Sequence, residues 1–179
     1  MPRIQPLPDE FTPEETRAAY EKHKADHQAR ITNMKATLGH SKIAFEVYME
    51  WYRLYEQVKK ITGERLAYLF AFSISKGSNC PLCTTFFRKI IMDHGEKPEN
   101  LELTGDEQLL LDFGSAIAES KGKISDELFE KVSVLYSTDQ LIDLIAFAGQ
   151  MIATNVFSNV IDTDIDDYLF SYLPFQNKK

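Results

Sequence analysis

Residues 64–95 read ERLAYLFAFSISKGSNCPLCTTFFRKIIMDHG, and this stretch decides the fold. Residues 64–75 are nearly apolar all round from Leu66 to Phe72, as expected of a helix buried at the centre of a domain. Lys76-Gly77-Ser78-Asn79 reads as a turn. Ser78 or Asn79 then caps a further helix that begins near Cys80. Pro81 is tolerated there because first-turn amides have no helical partners anyway. On this helix Cys83, Phe86, Phe87, Ile90, Ile91 and His94 share a face, and Gly95 ends it.

Outward from this pair the pattern stays helical. Thr12-Pro13-Glu14-Glu15 opens a helix with a capping box, and that helix runs to Leu38 with Gly39 as its stop. Ser41 starts another, with Ile43, Val47, Tyr48, Trp51, Leu54, Tyr55 and Val58 at helical spacing and Gly63 as a break. Thr104-Gly105-Asp106-Glu107 is a second capping box, opening a helix to Glu119. Ser125 caps a short helix to Leu135. Ser137 caps a long one, on which Leu141, Leu144, Ile145, Ala148, Ile152, Val156 and Val160 are expected to face inward. No alternating strand pattern of useful length occurs. The expectation is an all-α domain with short connections. Its parts are an arm and helix over 1–39, a helical domain over 40–162 and a tail over 163–179.

With 179 residues the chain suits one domain, and it needs no disulfide framework to fold. Its net charge of −7 argues against nucleic acid as a partner, because binders of phosphate backbones carry basic patches. Lys59-Lys60 and Lys178-Lys179 are only pairs. The longest continuously apolar run, Leu66 to Ile74, is too short to span a membrane. The N-terminal residues contain no hydrophobic core of a secretory signal. A cytoplasmic location is therefore expected, and there a C-x-x-C is more often catalytic or metal-binding than structural.

Cys80 and Cys83 are the only cysteines. A disulfide closing so small a ring stabilises by only about 2 kcal/mol, so the spacing points to redox or metal chemistry more than to architecture. The thiolate is the reactive form, and an unperturbed cysteine is only about 3% ionised at pH 7. A helix start favours the anion; a base one turn after Cys83 would do more, but that position is Phe87. The bland alternative is two small core thiols.

Other constellations are weaker. His23 and His27 share a helix face and could join Cys80 and Cys83 as zinc ligands, but two surface histidines on a charged helix is the favoured reading. Asp162-Thr163-Asp164-Ile165-Asp166-Asp167 lacks the glycine at position six and the glutamate at position twelve of a calcium loop, and reads as a solvated end. Asn155 and Asn159 sit among apolar residues, where buried amides need partners or line a pocket. No metal or cofactor is expected.

Gly77-Ser78-Asn79-Cys80-Pro81-Leu82-Cys83, preceded by a buried helix and followed by Gly95, resembles the carboxymuconolactone decarboxylase and alkyl hydroperoxidase D (AhpD)-like family. The stretch from Leu109 to Val160, with Lys121 to Phe129 as linker, is also similar. The resemblance covers about residues 40–162 and implies an AhpD-like helical bundle that usually forms a homo-oligomer. In redox-active members the second thiol attacks peroxide and the first resolves it, which would make Cys83 the nucleophile and Cys80 its partner. Those members also carry a glutamate twelve residues before the first cysteine and a histidine four after the second. Here these positions are Tyr68 and Phe87. Glu64, one turn before Tyr68, is the nearest substitute acid in sequence. The resemblance thus implies a thiol–disulfide oxidoreductase or weak peroxidase, acting on a peroxide or disulfide and recharged by a thiol reductant. The alternatives are a non-catalytic binding or structural member, or a decarboxylase-like enzyme using Tyr68 and the asparagines.

Overall fold

The computed structural model describes residues 1–174; the final residues of the expected tail, including Lys178-Lys179, lie outside the described residues. Nine α-helices follow one another, with no strand among the described residues. They are α1 (Glu14–His27), α2 (Asn33–Leu38), α3 (Lys42–Met49), α4 (Trp51–Thr62), α5 (Glu64–Gly77), α6 (Pro81–Asp93), α7 (Gly105–Glu119), α8 (Asp126–Leu135) and α9 (Thr138–Ile161). The all-α expectation holds.

α5 is the axis of the bundle. Every residue from Ala67 to Ser75 is buried, because α4, α6, α7 and α9 surround it. α7 approaches closely where glycine allows it: a Cβ on Gly114 would stand 2.7 Å from the Phe70 ring and from Ser73 Oγ. The capping box expected at Thr104 forms, and at Ser137, expected as a cap, Gln140 also accepts the Ser137 amide N–H. The box expected at Thr12 does not form, because Pro13 takes the cap position and offers no side-chain oxygen.

The first expected helix is interrupted. α1 stops at His27, Gln28 takes a left-handed φ of 49°, and Thr32 caps a separate α2. The β-branched pair Ile31-Thr32 lies in the break, where the Thr32 side chain does better as a cap than inside a helix. The helix expected from Ser41 is likewise split at Glu50. The arm and tail are not separate from the 40–162 domain, since Tyr20, Met34, Leu38 and Leu169 belong to one buried core with α4 to α9. The tail folds back as a 3-10 turn, Asp167–Tyr172. Arg88 fixes it to α6, with Nε donating to the Tyr172 carbonyl at 2.8 Å. The acidic run is thus partly built into the fold, not a solvated end.

α9 also differs from expectation. Leu141, Leu144 and Ala148 face inward, together with Phe147, Met151, Thr154, Asn155 and Ser158. Ile145, Val156 and Val160 face outward and are exposed, as is Ile142. By length and apolar composition this 24-residue helix could cross a membrane, a feature not expected from the sequence; in the fold its inner face packs in the core.

Candidate active site

The α5–α6 turn presents the thiols. Asn79 adopts φ 49°, a left-handed conformation that asparagine tolerates better than most residues. Asn159 on α9 holds this turn from outside, its Nδ2 donating to the carbonyls of Ser78 and Asn79 at 3.2 and 3.3 Å. Cys80 is the N-cap of α6, and its Sγ accepts the Cys83 amide N–H at 3.3 Å. A cysteine sulfur thus occupies the place usually taken by a serine or aspartate oxygen.

Both cysteines are free thiols, 1% and 7% exposed at Cys80 and Cys83. They act on each other. The Cys83 thiol, donating toward Cys80, lowers the Cys80 pKa, and the amides of Cys83 and Leu82 pull the same way. Donating to Cys80 and being buried push the Cys83 thiol well up, with the Ser158 hydroxyl opposing weakly. The pair therefore holds its first negative charge on Cys80, at the helix start.

The two sulfurs face different spaces. Cys83 lines a cavity of about 70 Å³ with aromatic walls from Trp51, Tyr52, Phe86, Phe87 and Tyr168. Cys80 lines a wider, polar cleft of about 750 Å³ whose rim carries Asp162, Asp164 and Asp167. Beside the thiols α9 brings the Ser158 hydroxyl toward Cys83, and one turn earlier it buries the Asn155 amide with neither its nitrogen nor its oxygen hydrogen-bonded.

Of the other residues singled out from sequence, Phe87 belongs to the site as apolar wall, not as a base. Tyr68 and Glu64 are not brought to the thiols. The Tyr68 hydroxyl donates to Glu96 at 3.0 Å and its ring lies against His94. That places it at the C-terminal end of α6, about 20 Å along the helix from Cys80. Glu64 is exposed, four residues nearer the start of α5. His23 and His27 stay away from the cysteines and pack around Tyr52, with ring centroids 5.1 and 4.3 Å from it. His23 is a buried histidine with both ring nitrogens unpartnered, not a surface one. No cluster of three metal-capable side chains occurs among the described residues.

Sequence reasoning missed Lys35, Asp166, Tyr52 and Tyr168, all lining the Cys83 cavity. They come from α2, α4 and the tail, and no spacing links them. The one available signal was Lys35 itself, a charge between Met34 and the buried Thr37-Leu38.

No protein-family profile and no curated protein sequence matches the chain. Solved structures do. A cysteine-to-alanine variant of the debrominase Bmp8, in complex with 2,3,4-tribromopyrrole, is similar over 95% of both chains with a TM-score of 0.78 at 17% identity. The alkylhydroperoxidase AhpD core of an uncharacterised peroxidase-related protein from Ralstonia eutropha JMP134 gives 0.71 at 15% identity over 94% of both chains. A peroxidase-related protein from Silicibacter sp. TM1040 gives 0.67 at 13% over 88% of both. The chain has the AhpD-like fold. Within that fold its thiol turn joins the central helix to the next, and the expected bundle is the observed one.

Proposed function

We propose that this AhpD-like chain is a dithiol oxidoreductase in which Cys80 and Cys83 cycle between paired thiols and a disulfide. The observation that carries the reading is the double position of Cys83. Its amide and thiol stabilise charge on Cys80, and its side chain also forms part of the wall of a cavity able to hold a small molecule.

In each turnover the two thiols lose two electrons and two protons and form one S–S bond. A hydroperoxide accepting them breaks its O–O bond, giving an alcohol and water. A disulfide opens to two thiols. A ring carbon–bromine bond becomes C–H, with bromide and one proton released. Phe87 and the surrounding rings favour an organic substrate over hydrogen peroxide, since no proton-relay base faces the cavity at that position. The ring bound by the structurally similar debrominase supports the same direction. The resemblance gives attack to Cys83 and resolution to Cys80. The charge distribution supports Cys80 as the first of the two thiols to ionise, so the Cys83 proton passes to Cys80 before Cys83 attacks. A thiol reductant reopens the disulfide, and the cleft beside Cys80 is its approach. The dithiol state suits the cytoplasm. A second copy of the chain, giving a homo-oligomer, would cover the outward apolar stripe of α9.

The test is thiol titration of reduced protein against an organic hydroperoxide, an aromatic disulfide and a bromopyrrole. At least one should remove both thiols, mass spectrometry should show the Cys80–Cys83 disulfide, and Cys83→Ser should stop it. No loss of thiols with any of the three, or equal rates in Cys83→Ser, would overturn the reading in favour of the non-catalytic one.

A further inference from the structure

Lys35 is 6% exposed, and its side chain lines the same cavity as Cys83. Its Nζ donates to the Arg30 carbonyl at 3.1 Å and to Tyr52 Oη at 3.0 Å. An ammonium has three N–H donors, so one remains. Among the described residues no carboxylate lies within ion-pair distance of it. Asp166 shares the cavity, but its Oδ1 is taken by the Asn33 amide N–H at 2.8 Å. A buried cation with no direct ion pair is costly. Burial drives the Lys35 pKa down to about 8 against the opposing pull of the Asp166 charge, which still leaves it mostly protonated at neutral pH. The cavity thus combines flat aromatic walls, a positive charge held in no direct ion pair and a thiol.

We infer that this cavity binds the conjugate base of a small, weakly acidic planar ring, a phenol or an azole, with the Lys35 ammonium as counter-ion. The aromatic walls take the faces of the ring, Lys35 takes its anionic oxygen or nitrogen, and the ring edge lies toward Cys83. The cavity holds several times the ~10–15 Å³ that one water needs, and its open side admits ring substituents. The other charged or titratable groups facing Lys35 are Asp166, Tyr52 and Tyr168. Arg30 stacks on the Tyr168 ring at 4.3 Å, and His23 packs behind Tyr52. An apolar pocket without Lys35 would prefer the neutral ring, so preference for the anion is the distinguishing property. The inference deepens the proposed function by naming its substrate class and rests on that reading for chemistry, not for binding.

The probe is 4-nitrophenol, whose phenolate absorbs visibly and which offers the thiols no halogen or peroxide. Reduced protein should bind it more tightly than 4-nitroanisole, its uncharged methyl ether. Bound probe should also ionise at lower pH than free probe. Lys35→Met and, separately, Lys35→Gln should abolish the pH shift and weaken phenolate binding by about 10- to 100-fold, the range expected for losing a charge-assisted contact. Equal binding of phenol and ether, no binding of either, or a pH shift that persists in both variants would overturn the inference. The phenol–ether comparison uses the unaltered protein, so it decides even if a variant folds poorly. Phenolate binding with unreactive thiols would defeat only the oxidoreductase reading; reactive thiols without phenolate preference would defeat only this inference.

Discussion

The two ends of α6 are built on opposite principles. At its N-terminal end the polar groups are buried, sparsely paired and few: two thiols, Lys35 across the cavity, Asn155 and Ser158 behind. At its C-terminal end they are semi-exposed and saturated. Arg65 makes a bidentate contact to Glu96, reaches Glu107 at 2.7 Å, and shares Glu96 with the Tyr68 hydroxyl. A saturated network stabilises and has no valence left for a ligand. An undersatisfied buried set costs stability and persists where something else is to be bound or reacted. The contrast teaches that unmet polar demand is concentrated at the N-terminal end, although the far end holds more charge.

The largest expected effect breaks the thiol end outright. Cys83→Ala removes the largest cause that lowers the Cys80 pKa, so the remaining thiol should titrate higher than in the parent. Disulfide formation within the chain becomes impossible. The check is the pH dependence of alkylation by a small neutral reagent, with the modified residue read by mass spectrometry. An unchanged Cys80 profile would mean that the helix start alone sets its acidity, and the thiol pair would lose its special standing against the other end.

The complementary change is Arg65→Ala. It strands Glu96 and Glu107 on a partly exposed surface, and the expected cost is about 1–3 kcal/mol of unfolding free energy. The thiol titration should stay as it was, because the network sits a full helix length away. A denaturation midpoint that falls while the alkylation profile holds separates the two ends. A shift in both would show them to be coupled through α6.

This division also explains what the sequence could tell. The helices were legible because apolar spacing, glycine stops and the caps at Thr104 and Ser137 are local signals. The C-x-x-C and its place at a helix start were legible for the same reason. The roles of Tyr68 and Glu64 were not, because a count of residues along α5 says nothing about which end of the antiparallel α6 they meet. Lys35, Tyr52 and Asp166 are joined only by tertiary packing of α2, α4 and the tail. On α9 both faces carry apolar residues, so periodicity alone could not choose between the stripe through Ile145 and Val156 and the one through Phe147 and Met151.

The two ends should finally separate along the acid limb of a stability–pH curve. His23, packed against the Tyr52 wall of the cavity, has its pKa lowered to about 4, mainly by burial and then by the charge of Lys35. The unfolded chain therefore takes up this proton first, near pH 6.5, and stability falls as pH drops from about 6.5 to about 4. Glu96 behaves differently. Its pKa lies below the usual 4.5 chiefly because Arg65 bonds its carboxylate, so its contribution is intact above that value and is lost only below it. His23→Phe should flatten the upper part of the limb and leave the lower part steep, while Glu96→Gln should do the reverse. The measurement is urea denaturation at closely spaced pH values for the parent and both variants. If His23→Phe leaves the interval between pH 6.5 and 4 as steep as before, the buried histidine is not the group that makes the cavity wall sensitive to acid. The loss would then lie with carboxylates, and the distinction between the two ends would reduce to one of solvent exposure.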